Sequence, residues 1–275
     1  MKIIRLMGGL GNQMFQYAFG LAMGGNVRYD TSWFDKTHQN PNVAQREYEL
    51  DFWNINPQLT NKTKIWGIIK RKRIIENPYN IYNPELLKIK NGVVEGYFQV
   101  AAYYEPIRER LLHDFVPRQR LNTKNREVLD LMHRTNSISL HVRRGDYVKL
   151  QNIYGVCDLD YYKHAIAVIA NNTSNPYFFM FSDDIEWTTN NLAVDFPHMV
   201  VDINHGHDSA WDMWLMANCK HNIIANSSFS WWGAWLNQNP GKIVISPAQW
   251  FANGTPTDII PDDWARIQNE NFSKE

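Results

Sequence analysis

Short apolar runs of strand length recur along this chain, and between them apolar positions fall three and four apart, as on one face of a helix. Residues 2–6 read as a strand, 7–11 as a glycine-rich turn, 13–23 as a helix and 27–30 as a second strand, a β-α-β opening. From about residue 125 the rhythm is regular: strand-like runs at 138–142, 177–181, 199–201, 223–225 and 243–245 alternate with helical patterns such as 161–170 and 209–219. Such alternation predicts parallel sheets covered by helices on both faces. Residues 31–95 break the rhythm. They are polar and carry Pro41, Pro57, Pro78 and Pro84, so loops and short helices are expected there. The predicted fold is α/β, with two Rossmann-like domains facing a cleft. A small, irregular domain spans 1–120 and a second spans 121–275, with a last helix that would pack back on the first.

Ligands of an open parallel sheet bind beyond the carboxyl ends of its strands, and here those ends are polar. His141, Arg143, Arg144 and Asp146 follow one run, Ser182, Asp183 and Asp184 the next, Asp202 the third, and Asn226, Ser227 and Ser228 the fourth. Arginine forks suit phosphate oxygens. A helix starting at the two serines would offer unpaired N–H groups to the same anion. The blander alternative is that one arginine pairs with Asp146 while the serines only cap their helix. Asp212 lies in the apolar stretch SAWDMWLMA, where a carboxylate is costly unless satisfied. Its two acceptors match the paired N–H donors of a guanine edge, or it is an ordinary capped or salt-bridged helical aspartate.

Composition narrows the partners. Lys and Arg total 28 against 28 Asp and Glu, so no general field draws the chain to nucleic acid or anionic lipid, and local charge must hold any anion. Cys157 and Cys219 are too few for a disulfide framework and lack metal-ligand spacing, which points to a reducing compartment. Asn12, Gln13 and Gln16 interrupt the apolar start where a signal peptide needs an unbroken run. A cytoplasmic location is expected, and with it unmodified Asn-x-Ser/Thr triplets at Asn61, Asn172, Asn226 and Asn271. The basic run Lys70-Arg71-Lys72-Arg73 reads as a solvated face or as a contact with an anionic membrane surface. The eleven tryptophans read chiefly as core packing. Asp158-Leu-Asp160 has the look of a metal-holding pair, but Asp160 reads better as a helix N-cap. His205-Gly-His207-Asp208 reads as a loop with a cap.

Four blocks carry a resemblance: HVRRGDY (141–147), GGLGNQMFQYAFG (8–20), FSDDIEW (181–187) and DMWLMANCKHNIIANSSFSWWGAW (212–235). Together they resemble glycosyltransferase family 11, the α-1,2-fucosyltransferases. The resemblance implies a GT-B-like fold, GDP-fucose as donor and no metal. It also implies site roles. His141 would contact guanine or its ribose, Arg143 the β-phosphate, and Arg144 the loop or the phosphate. Asp212 precedes Ser228 by the spacing that pairs a guanine-binding aspartate with a phosphate-binding serine. Gly9, Gly11 and Gln13 of the glycine loop would help to bind the donor, with Asp183, Asp184, Asn226 and Ser227, and Asn12 would lie near fucose and acceptor. Asp146 is the candidate base.

The implied reaction is an inverting transfer of L-fucose from GDP-β-L-fucose to the 2-hydroxyl of a terminal galactose in a glycan or polysaccharide repeat unit. Peripheral contact with the inner membrane would accompany such a role. The alternatives are another linkage or acceptor, or a glycan-binding protein without catalysis on the same fold.

Overall fold

The structure, a computed structural model, describes residues 1–37, 45–60, 72–145, 147–148 and 155–269. It divides into two units, Met1–Arg118 with Pro256–Pro261, and Gln119–Thr255 with Asp262–Glu275. Each unit holds one sheet, and all the strand pairs of both sheets are parallel.

In the first unit β1 (Lys2–Arg5) leads through the helix Leu10–Met23 to β2 (Val27–Asp30). Among the described residues β3 (Leu59–Thr60), β4 (Arg73–Ile75) and β5 (Gly92–Glu95) complete the sheet in the order β3-β2-β1-β5-β4. Residues 31–95 therefore hold three strands as well as the expected loops and short helices. β3 and β4 escape a pattern reading because they are two- and three-residue edge strands without a buried apolar run, and β5, though buried, holds only the apolar pair Val93-Val94. Of the basic run, Lys70 and Arg71 lie outside the described residues, Lys72 is exposed, and Arg73 reaches Glu95 Oε2 at 2.5 Å. Arg5 stands between Asp30 Oδ2 at 3.0 Å and Glu95 Oε1 at 2.7 Å, so neighbouring strands of this sheet are tied by charge.

The second unit carries β6 (Asn136–Val142), β7 (Pro176–Ser182), β8 (His198–Val200), β9 (His221–Ile223), β10 (Val244–Pro247) and β11 (Ala265–Ile267), ordered β11-β10-β9-β6-β7-β8. Helices Leu159–Asn172, Ile185–Asn191, Ala210–Ala217 and Ser228–Trp235 fill the crossovers. The core joins Ile138, Leu140 and Val142 of β6 to Tyr161, Phe178, Met180, Ile223 and Ile245. A last helix was expected to close the chain. Among the described residues the chain closes on β11, which pairs with β10. Helix Ser228–Trp235 is apolar nearly all round and is buried accordingly. Its Trp231 and Trp232 are fully buried and pack with Trp235 and Trp264. That packing anchors the helix in the core.

Candidate functional site

The order of the second sheet fixes where a ligand belongs. From β6 the chain runs outward through β7 and β8, then returns to the other side of β6 with β9 and continues outward to β11. The reversal lies between β6 and β9, and such a switch point opens a crevice at the carboxyl ends of its two strands. Arg143 and Arg144 follow β6, and Ser227 and Ser228 follow β9.

Both arginines are held from β7. Asp183 Oδ2 meets Arg143 Nη1 at 3.0 Å, and its Oδ1 accepts from the Arg144 backbone N at 2.9 Å. Asp184 caps helix Ile185–Asn191 by accepting from Trp187 N, and lies 3.6 Å from Arg144 Nε. The Arg144 guanidinium stacks over the Trp187 ring with 3.6 Å to its centre, and that of Arg143 lies 5.1 Å from the ring centre of Tyr147. Asp183 and Asp184, expected beside the donor, thus brace the arginines that would meet it. A carboxylate turned toward a diphosphate would repel it. Asp146, the alternative arginine partner and candidate base, lies outside the described residues.

Gly145 belongs to this brace, because a Cβ there would come 2.3 Å from Asp183 Oδ2. Gly145→Ala is expected to push Asp183 off Arg143 and lower donor-dependent turnover by roughly 10- to 100-fold, the scale of a misplaced charge clamp. Its melting temperature should stay within a few degrees of wild type, and a thermal melt beside steady-state kinetics checks both halves.

His141 is 4% exposed, and its buried Nδ1 has no hydrogen-bond partner among the described residues. Burial, reinforced by the Arg143 charge, lowers its pKa to about 3, so the ring is neutral at physiological pH. An orphaned polar atom in such a place fits a ligand contact. Ser227 is the N-cap of helix Ser228–Trp235, accepting from Phe229 N at 3.3 Å, and Ser228 is the first residue of its first turn. Asn226 is buried: its Nδ2 donates to Trp250 O at 3.1 Å, its Oδ1 accepts from Cys157 Sγ, and its carbonyl accepts from Tyr147 Oη. These bonds fix the β9 end.

Asp212 stands in the first turn of Ala210–Ala217 and accepts from Asn204 Nδ2 at 2.7 Å. Burial raises its pKa to about 7, with the Asn204 bond opposing the rise and the Asp202 charge adding to it. Helix Ala210–Ala217 packs closely on Ser228–Trp235 at Gly233, where a Cβ would lie 2.9 Å from Met216 Cβ. The same pair of helices therefore carries Asp212 and Ser228. Asn204 and its buried partner Asn125 are site neighbours that no local sequence pattern marks.

The first unit has its own switch point, between β1 and β5. Gly8 there has φ +77°, and a Cβ on it would come 2.5 Å from Asn12 Nδ2. Gly9 is the N-cap of helix Leu10–Met23, and Gly11 lies buried in its first turn. Gln13 is fully buried, donating to Gly8 O and Glu47 O and accepting from Glu49 N. Expected at the donor, its amide is instead committed to holding the glycine turn. Asn12 Oδ1 accepts from Gln99 Nε2 at 2.7 Å, just beyond β5. Gln99 is a further residue that the sequence did not mark.

Asp158, not Asp160, caps Leu159–Asn172, accepting from Tyr161 N at 2.7 Å, while Asp160 sits in the first turn beside Lys163. Residues 206–209 form one 3-10 turn after His205, and the following helix has no side-chain cap. Among the described residues no group of three or more His, Cys, Asp or Glu is placed to hold a metal ion. None of their helices is long and apolar enough to cross a membrane. Both cysteines are buried and free.

Residues 1–268 match the family model described as glycosyl transferase family 11. The chain is 34% identical to the O-antigen biosynthesis glycosyltransferase WbnK of Escherichia coli, over 95% of this chain and 99% of that protein. It is 34% identical to an alpha-1,2-colitosyltransferase of Escherichia coli, over 97% and 98%. To the galactoside alpha-(1,2)-fucosyltransferase 2 of Oryctolagus cuniculus it is 25% identical, over 94% and 73%. The match covers both units and includes the arginine strand end, the helix bearing Asp212 and the buried tryptophan helix. This chain belongs to glycosyl transferase family 11.

Proposed function

We propose that this family 11 enzyme transfers L-fucose from GDP-β-L-fucose to the 2-hydroxyl of a terminal galactose in a surface-polysaccharide repeat unit. The observation that carries the proposal is the pair of features suited to an anion that flank one switch point, the braced arginines after β6 and the helix start after β9. A nucleoside diphosphate leaving group would be served by both. Arg143 would meet the β-phosphate with its fork, and Ser228 with the N-terminus of its helix would meet the same group. Arg144, stacked and paired, would hold the loop. His141 would contact base or ribose as a neutral ring, and Asp212 would accept the two N–H groups of guanine.

The β-linked donor gives an α-linked product by a single displacement with inversion. The C1–O bond to the β-phosphate breaks with its electron pair on phosphate oxygen, and the acceptor oxygen bonds to C1 from the opposite side. Charge grows on the β-phosphate as C1 becomes oxocarbenium-like. Arg143 and the helix start thus act more strongly in the transition state than before it. The acceptor proton passes to a carboxylate, for which Asp146 is the candidate. The Asn12 amide would serve the transferred sugar and the acceptor. An enzyme of polysaccharide assembly, as the name of the Escherichia coli relative suggests, would work in the cytoplasm in peripheral contact with the inner membrane.

The colitosyltransferase relative favours a second reading, in which the donor sugar is colitose, the 3-deoxy counterpart of fucose. Incubation with GDP-fucose or GDP-colitose and a panel of β-galactosides, with NMR assignment of the product, tests both. An α-1,2-linked fucosyl galactoside is the expected product. Transfer from GDP-colitose alone would move the assignment to the second donor, and linkage to any other hydroxyl would overturn the acceptor assignment.

A further inference from the structure

Asp212 ends a chain of amides that begins at a helix cap. Asn122 caps helix Thr123–Arg134, its Oδ1 accepting from Asn125 backbone N at 2.9 Å and from Asn125 Nδ2 at 3.1 Å. That contact decides which end of the Asn125 amide is nitrogen. Asn125 and Asn204 then exchange hydrogen bonds, the Nδ2 of each donating to the Oδ1 of the other at 2.8 Å. The remaining N–H of Asn204 is directed to Asp212 Oδ1 at 2.7 Å. Asn125 is fully buried and Asn204 nearly so. Turning either amide over would set donor against donor in a dry place, which a buried network resists. The orientation fixed at the cap therefore reaches Asp212 as a hydrogen-bond donor. Among the described residues Asp212 Oδ2 accepts no hydrogen bond.

We infer that Asn204 is a positioning residue for nucleotide binding, holding Asp212 Oδ1 so that the carboxylate is preset to receive the two parallel N–H groups of a guanine edge. The inference rests on the base-recognition role proposed for Asp212. Its physical content is preorganisation. A carboxylate already fixed in plane loses less freedom when the base arrives. The amide also keeps Asp212 an acceptor. Burial and the negative charge of Asp202 both favour the protonated carboxyl, which would turn an O–H toward the N–H groups of the base, and the Asn204 bond opposes them. Asp202 itself has His205 Nε2 at 3.7 Å. The adjoining turn adds His207 and Asp208, helix Thr123–Arg134 contributes Asn125 to the network, and helix Ser228–Trp235 carries no titratable side chain.

The test is the pH dependence of KM and kcat for GDP-fucose, whose diphosphate has no proton to gain between pH 6 and 9. At pH 7 Asn204→Leu should raise KM by about tenfold, the loss of one hydrogen bond to a charged group, with kcat within about twofold. The deficit should shrink as pH rises and Asp212 ionises. Asn204→Ser, smaller and still able to donate, keeps the test open if the leucine variant does not fold, and it should raise KM no more than leucine does. In an Asp212→Asn background neither change should add to the KM already lost. A KM deficit that ignores pH, or one that persists in that background, overturns the positioning role. An Asp212→Asn enzyme with wild-type donor KM would instead overturn base recognition itself, whatever the Asn204 variants do.

Discussion

Arg143→Ala is expected to lower kcat/KM for the sugar donor by about 10²- to 10³-fold while the protein still folds, the cost of removing one preorganised charge from a developing oxyanion. Two effects contribute, and they can be separated. The first is loss of the fork that meets the β-phosphate. The second is release of Asp183, whose Oδ2 is 3.0 Å from Arg143 Nη1 and would stand beside the diphosphate as an unpaired negative charge. Arg143→Ala with Asp183→Asn should therefore recover part of the loss, though not most of it. Arg143→Lys keeps the charge but gives up the planar fork and its place near the Tyr147 ring, so it should fall between wild type and alanine. Steady-state kinetics of the four proteins, with a thermal melt for each, measure these terms. Wild-type turnover in Arg143→Ala would remove the phosphate role.

The sequence carried the second sheet well because its central strands hold enough apolar residues to show: β7 is a nearly continuous apolar run, and β6 sets Ile138, Leu140 and Val142 between polar positions. It carried the first sheet only where β1, the glycine turn and β2 sit close together. β3 and β4 gain their order from neighbours rather than from their own residues. The site was legible where chemistry and topology coincide: a pair of arginines at a strand end and serines at a helix start. It was not legible where a carboxylate had two possible duties. Asp183 and Asp184 follow a strand end as a ligand-binding pair would, and only coordinates assign them to the arginines. Gln99 and Asn204 were missed for a different reason. Their partners are 87 and 79 residues away, a separation at which no periodicity links two positions.

Asp212→Asn should weaken donor binding by roughly 100-fold with little change in kcat, since a lost pair of charge-assisted hydrogen bonds costs about 3 kcal/mol. The substitution preserves volume and can still accept through one atom, but it turns an NH2 toward a base edge that also donates. The loss should therefore exceed that from a simple hole, and Asp212→Ala should bind the donor no worse than Asp212→Asn. The base itself supplies the control. Inosine lacks the exocyclic amine of guanine, so in the wild-type enzyme IDP should bind more weakly than GDP by about tenfold, one hydrogen bond to a charged group. In Asp212→Asn that preference should nearly vanish, because the acceptor of the amine has gone. Calorimetric titration of both nucleotides into both proteins gives the coupling directly. At a pH above about 7, where Asp212 is ionised, the wild-type preference should be larger than at pH 6. The sign follows from the raised pKa, since protonation of the carboxyl removes an acceptor the amine requires. Equal GDP preference in the two proteins would assign the purine to another residue and leave Asp212 as a buried acid serving the fold.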